Sequence, residues 1–221
     1  MILTPLVLTL KLALVTVFIL FIIGMPLAWW LAETRSRFKP LLESITALPL
    51  VLPPTVLGFY LLILLGQNGV LGGFWFNLTG SQLAFSFLGL VIASCLYSLP
   101  FVVQPLQTAF EKLDKKSIEA AYTLGASPQR TFVRVVLPMI RRGLITALVL
   151  GFAHTIGEFG VVLMVGGNIP DETQVMSIAI YEAVETMDYT AAHWMSAGLL
   201  VFSLLVLFSV YALNKKWSVH A

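Results

Sequence analysis

Of 221 residues, 58% are hydrophobic and 11% are charged, with a formal net charge of +2. A mean hydropathy of +0.93 excludes an ordinary soluble domain. The basic residues fall in short separated loops rather than on one face, which excludes a nucleic-acid partner.

In chain order, the first uncharged run covers residues 12–31, long enough to cross a bilayer, with Trp29 and Trp30 as interfacial anchors and Lys11 at the near end. No basic start precedes it, so it is read as a span that stays rather than a cleaved signal. Arg35, Arg37 and Lys39 follow, which makes the first loop cytoplasmic and the N-terminus external. The second span, 45–65, holds Pro49, Pro53 and Pro54, then Thr55. Its prolines free backbone carbonyls, so the span is expected to bend and to face protein or a water-lined path. Residues 66–82 lack Lys and Arg and carry Phe74, Trp75 and Phe76, as an external loop at the membrane surface should. The third span is 83–104, the fourth 144–165 and the last 191–213, ending at Lys215, Lys216 and Trp217. Every Lys and Arg except Lys11 then lies on the cytoplasmic side. The fold class expected is all-α: one polytopic membrane domain over 1–221 with about five transmembrane helices, N-terminus outside and C-terminus inside. Cys95, the only cysteine, can form no internal disulfide and has no metal-ligand neighbours, so it is read as packing. No metal site is expected.

The polar tract 111–143 breaks this pattern and gathers Lys112, Lys115, Lys116, Arg130, Arg134, Arg141 and Arg142. Locally it reads as two short helices around a sharp turn. Asp114 or Ser117 can cap the first, and Gly125 suits the left-handed position that ends it. Ser127 and Pro128 read as N-cap and first residue of the second, which Pro138 ends or kinks. A plain basic loop between spans fits the same pattern.

The sequence Glu119-Ala120-Ala121, three residues, Gly125, then Val135, Leu137 and Pro138 resembles the EAA loop of ABC importer permeases, with Val135 where isoleucine is usual. The resemblance implies coupling helices docked on a separate ATPase. Glu119, Ala120, Ala121, Gly125, Ser127, Pro128, Leu137 and Pro138 would form the docking surface.

In the fourth run, His154 and Glu158 are four apart and can share a helix face and hydrogen-bond. About a dozen apolar residues at roughly −0.4 kcal/mol each favour insertion, against about +3 kcal/mol for the carboxylate. The pair reads as a packing and hydrogen-bonding pair at an interface, with a gating role open. A proton relay and a membrane hydrolase are the alternatives, the latter without nucleophile motif or metal spacing. Residues 175–187 place Met176, Ile180, Ala183, Val184 and Met187 at helical spacing, an amphipathic helix on the outer surface. Asp171, Glu172, Glu182, Glu185 and Asp188 make that side acidic, either a solvated face or a docking surface for a substrate-carrying protein. No phosphate-binding Gly-x-x-x-x-Gly-Lys loop occurs, so ATP is not bound here by that route.

The Leu48-Pro49-Leu50-Val51-Leu52-Pro53-Pro54-Thr55-Val56 tract, and Gly157-Glu158-Phe159-Gly160 with Gly167-Asn168-Ile169-Pro170, look like molybdate and sulfate permease subunits. That likeness implies a type I importer fold in the bacterial cytoplasmic membrane. Two copies of the chain would assemble with two ATPases, which use ATP and Mg, and with an extracytoplasmic oxyanion-binding protein, within membrane lipid. The chain itself would bind no cofactor and catalyse no reaction. Molybdate is the expected cargo, with tungstate or sulfate as alternatives. Pro53, Pro54, Thr55, His154 and Glu158 are the candidates for path or gate. The family often has arginine where His154 stands, so a cationic role there becomes pH-dependent. A proton-coupled carrier using His154 and Glu158 is the rival from another class.

Overall fold

A computed structural model describes residues 3–216, with side chains through 209; Trp217 lies outside the described residues. Among the described residues three helices are long and apolar enough to cross a membrane: α1 (Leu3–Glu33), α5 (Phe87–Glu111) and α12 (Tyr189–Lys216, through its stretch Tyr189–Ser209). Two sharply bent pairs bring the total to five if each pair is one span. Described residues form helices and turns, with no strand among them.

At 1.5 Å per residue α1 is about 46 Å long, more than a hydrocarbon core requires. Its start at Leu3 puts Lys11 inside the helix rather than at its near end. There the ammonium sits 4.5 Å from the ring centroid of Phe87, a contact that tolerates a cation at the membrane margin. Leu12, Thr16, Leu20, Gly24, Ala28 and Leu31 recur along its buried face, while Leu14, Phe18 and Ile22 are exposed. Apolar residues on both faces are what a helix between protein and lipid needs.

The second run is broken, as its prolines predict. Helix α2 (Lys39–Ala47) passes into a 3₁₀ turn at Leu48–Leu50, and α3 (Pro54–Leu65) leaves at 105° to it. Pro53, extended at ψ 137°, and Pro54 at the first helical position set the turn. Residues 66–82 are not a plain loop: α4 (Val70–Thr79) occupies most of them and ends at left-handed Gly80.

Helix α5 is the central post. Ser86 caps it by accepting the Gly89 N–H at 3.1 Å, and it continues through Pro100 and Pro105 to Glu111, beyond the expected end at 104. Its Val102, Val103, Leu106 and Phe110 form a core with Leu20, Ala28 and Leu31 of α1 and with Val136, Ile140 and Ala147. Trp29 belongs to this core rather than to the membrane surface: it stacks on Phe132 at 5.1 Å and lies 5.4 Å from Phe110. Trp30 is exposed, as an anchor should be.

The tract after α5 folds as α6 (Lys115–Thr123), then α7 (Pro128–Thr131), a π-helical turn (Phe132–Val136) and α8 (Leu137–Met139) in one rod. The rod meets α9 (Arg141–Gly157) at 72°. The fourth run departs from expectation here. Instead of one helix over 144–165, α9 stops at Gly157, Glu158 is extended, and α10 (Gly160–Gly166) resumes.

Helix α11 (Met176–Glu185) carries the expected amphipathic pattern only in part. Met176, Ile178, Ala179 and Ala183 are buried, whereas Val184, still within the helix, is exposed, and Met187, past its end, turns left-handed at φ 60° and is exposed too. Its apolar face packs on Ala192 and Met195 of α12 rather than on lipid. The Met176 N–H donates to Thr9 Oγ1 of α1 at 2.8 Å.

Candidate functional site

The elbow between α6 and α7 is built from local rules. Asp114 accepts the Lys116 N–H at 3.1 Å and the Ser117 hydroxyl at 2.8 Å, so Asp114 is the cap and Ser117 supports it. At the other end Gly125 sits at φ 78°. The Ala126 N–H returns to Ala121 O and the Gly125 N–H to Tyr122 O, the paired bonds of a Schellman stop. Ser127 then accepts the Arg130 N–H at 3.4 Å, and Pro128 starts α7.

Pro138 explains the π turn. It has no N–H for the carbonyl four residues back, and the Leu137 N–H bonds instead to Phe132 O, one residue further than an α-helix allows. Glu119, Ala120, Gly125, Ser127, Pro128 and Pro138 are exposed, while Ala121 and Leu137 are half-buried. Between them Leu124 is 87% exposed, with Tyr122 and Val133 also outward. Leu124 is the C-cap residue of α6, at the Schellman stop. These exposed apolar and aromatic side chains share the tract with exposed Arg130 and Arg134.

The second group lies where the two broken runs meet. A Cβ on Gly160, at the start of α10, would stand 2.8 Å from Pro54 Cβ at the start of α3. The bend at Pro53 and Pro54 thus seats directly on the break at Glu158 and Phe159. Thr55 is exposed beside it. The break is tied from a third side, because the Ser177 hydroxyl of α11 donates to Glu158 O at 2.6 Å.

His154 and Glu158 do not pair. The helix that would hold them in i, i+4 register ends at Gly157. Glu158 is 3% exposed, and among the described residues its carboxylate oxygens make no hydrogen bond within 3.5 Å; the nearby Ser94 hydroxyl is the polar group that faces it. His154 stacks on Phe101 at 3.9 Å and lies 4.8 Å from Tyr97. Its Nδ1 is 2.9 Å from Ser98 Oγ, which is 3.1 Å from Thr155 Oγ1, and Thr155 donates to Gly151 O at 2.9 Å. Proton accounting orients this chain. Thr155 has given its proton to Gly151, so Ser98 donates to Thr155 and His154 Nδ1–H donates to Ser98. Tyr97, Ser98 and Phe101 carry no motif, and only the helix crossing of α5 on α9 brings them to His154.

On the acidic side, Asp188 caps α12 by accepting the Ala191 N–H at 3.0 Å, and Glu182 accepts from Gln174. Asp171, Glu172 and Glu185 are exposed. Among the described residues no group of three His, Cys, Asp or Glu could hold a metal ion.

The family described as "Binding-protein-dependent transport system inner membrane component" matches residues 21–218. The molybdenum transport system permease protein ModB of Azotobacter vinelandii is 55% identical over 205 residues, covering 93% of this chain and 91% of that protein. The sulfate transport system permease protein CysT of Escherichia coli K12 is 35% identical over 196 residues, 89% of this chain and 70% of that one. Among solved structures, a bacterial alginate ABC transporter in complex with an alginate pentasaccharide-bound periplasmic protein aligns with a TM-score of 0.76 at 17% identity, covering 97% and 78% of the two chains. The MetNI methionine ABC transporter aligns with a TM-score of 0.71 at 18% identity, covering 95% and 92%. These two likenesses concern the fold alone.

Proposed function

This chain belongs to the family of binding-protein-dependent transport system inner membrane components, and from that premise we propose that it is the permease subunit of an ATP-driven molybdate importer. The observation that carries the reading is the elbow. Its Glu119-Ala120-Ala121 and Gly125 stand on a capped turn whose apolar tip, Leu124, is left uncovered among the described residues. Docking on a separate ATP-hydrolysing subunit, with ATP and Mg bound there, supplies the covering and the drive. The 55% identity to a molybdenum permease supports molybdate over sulfate, whose permease relatives are 34–36% identical.

In this reading the basic elbow and the C-terminus face the cytoplasm and the N-terminus faces out. Two copies surround the path, and an oxyanion-binding protein delivers cargo at the acidic external side around Asp171, Glu172 and Glu185. A free anion is repelled there, so delivery by a carrier is favoured over capture from solution. Pro53, Pro54 and Thr55 lie at the hinge of the path wall with Glu158, and His154 lines it. The two broken runs, touching at Pro54 and Gly160, are where a small movement of the elbow opens one side and closes the other. A proton-coupled carrier would rest on a His154–Glu158 pair, and the two side chains share no hydrogen bond.

The experiment is uptake of labelled molybdate into proteoliposomes holding the permease, its ATPase and the binding protein. The reading predicts uptake that needs ATP, competes with tungstate and survives collapse of the proton gradient. Uptake that persists without ATP and stops with the proton gradient would overturn it.

A further inference from the structure

Four charged residues stand at the ends of four helices, each at the end its charge does not suit. Glu33 is the last residue of α1 and Glu111 the last of α5; Lys39 is the first of α2 and Lys115 the first of α6. Helix dipoles favour acids at N-termini and bases at C-termini, so all four placements are unfavourable for the helix that carries them. They are explained by each other. Lys115 Nζ is 3.2 Å from Glu33 Oε2, and Lys39 Nζ is 3.4 Å from Glu111 Oε1. Gln107 strengthens the second pair, donating to Glu43 at 2.6 Å and to Glu111 at 3.0 Å, with Lys39 3.7 Å from Glu43.

The two pairs cross-link two joints. One joint, residues 34–38, connects α1 to α2. The other, residues 112–114, connects α5 to the elbow. The end before each joint is tied to the end after the other, and the polarities match across both. We propose that Glu33, Lys39, Glu111 and Lys115 form a strap that carries movement of the elbow directly into the α1–α2 joint. Helix α2 then passes it to the bend at Pro53. The fourth run receives the same movement through the rod and α9, so the two broken runs are driven from one elbow by separate routes and meet at Pro54 and Gly160. These four are positioning residues. The inference rests on the elbow being the ATPase contact.

Exposed ion pairs add little to stability, so the strap is tested through coupling. In the complete reconstituted transporter, E33K and K115E are compared singly and together for molybdate taken up per ATP hydrolysed. Each single change places a charge that its own helix dipole prefers, yet sets like charges face to face. The strap predicts that each lowers the ratio about fivefold or more, the scale of a modest coupling free energy, and that E33K/K115E restores it to within about twofold. K39E, E111K and their double variant, made in an E43Q background because Glu43 lies 3.7 Å from Lys39, should follow the same pattern. A single variant that does not assemble is replaced by its neutral form, E33Q or K115Q, with the same expectation. Unchanged ratios in the single variants, or failure of the swap to restore coupling in an assembled complex, would overturn the strap. Failure of the unaltered chain to recover any ATPase would instead overturn the transport reading itself.

Discussion

Gly160 shows how much a single missing side chain decides. Its Cα faces the Pro54 ring so closely that an added methyl would lie 2.8 Å from Pro54 Cβ, and neither a proline ring nor the backbone at a helix start can yield easily. Gly160→Ala should therefore destabilise the protein by about 1–3 kcal/mol. Gly157 is the natural control. A methyl there meets nothing within 4 Å, and Gly157→Ala at the end of α9 should cost nothing or stabilise by about 0.5–1 kcal/mol. Thermal unfolding of both variants in detergent separates them, and equal midpoints would remove the argument for the Pro54–Gly160 contact. At the same scale, the chain from His154 through Ser98 and Thr155 to Gly151 shows why a polar residue within a span needs no charged partner. A neighbouring helix supplies the acceptor.

Among the elements, the elbow follows its local sequence most directly. Asp114, Gly125, Ser127 and Pro128 each do what their residue type does at a helix end, so two helices and a turn are legible in the residues alone. Gly125 is the irreplaceable member, since φ 78° is open to glycine and strained for other residues. Gly125→Ala should cost about 1–2 kcal/mol and reduce recovery of the ATPase, while Gly125→Asn, which tolerates that region better, should lose less; equal losses would contradict the assignment. The prolines of the second run likewise announce its bend. The break in the fourth run does not announce itself. Hydropathy runs unbroken through residues 144–165 except at His154 and Glu158, and a period-3.6 reading continues across them. The break is stabilised by Ser177 and Pro54, which come from elsewhere in the chain. For the same reason periodicity places α11 on the lipid surface: its partners Thr9, Ala192 and Met195 are tertiary neighbours, and a repeat of apolar residues cannot tell a lipid face from a protein face.

For the whole molecule, the arrangement is a central post, α5, against which two interrupted runs lean and meet at their interruptions. Straight helices resist bending, whereas a break absorbs a change of angle in a few residues, so within the two runs the change of angle falls at their junction. The elbow stands at the foot of the post, joined covalently to one interrupted run and, through the strap, by charge to the other. In the proposed reading the drive comes from a separate ATP-hydrolysing subunit, which attaches at the apolar tip around Leu124. Purification of the intact transporter with unaltered chain or with Leu124→Asp tests this most directly, by the amount of ATP-hydrolysing subunit recovered with each. Because Leu124 is 87% exposed, the change should leave membrane yield unaltered and stability within about 0.5 kcal/mol of the original. The account predicts that recovery of the ATPase falls at least about tenfold, the effect of losing some 1.4 kcal/mol of binding; full recovery of an active ATPase with the Asp variant would contradict it.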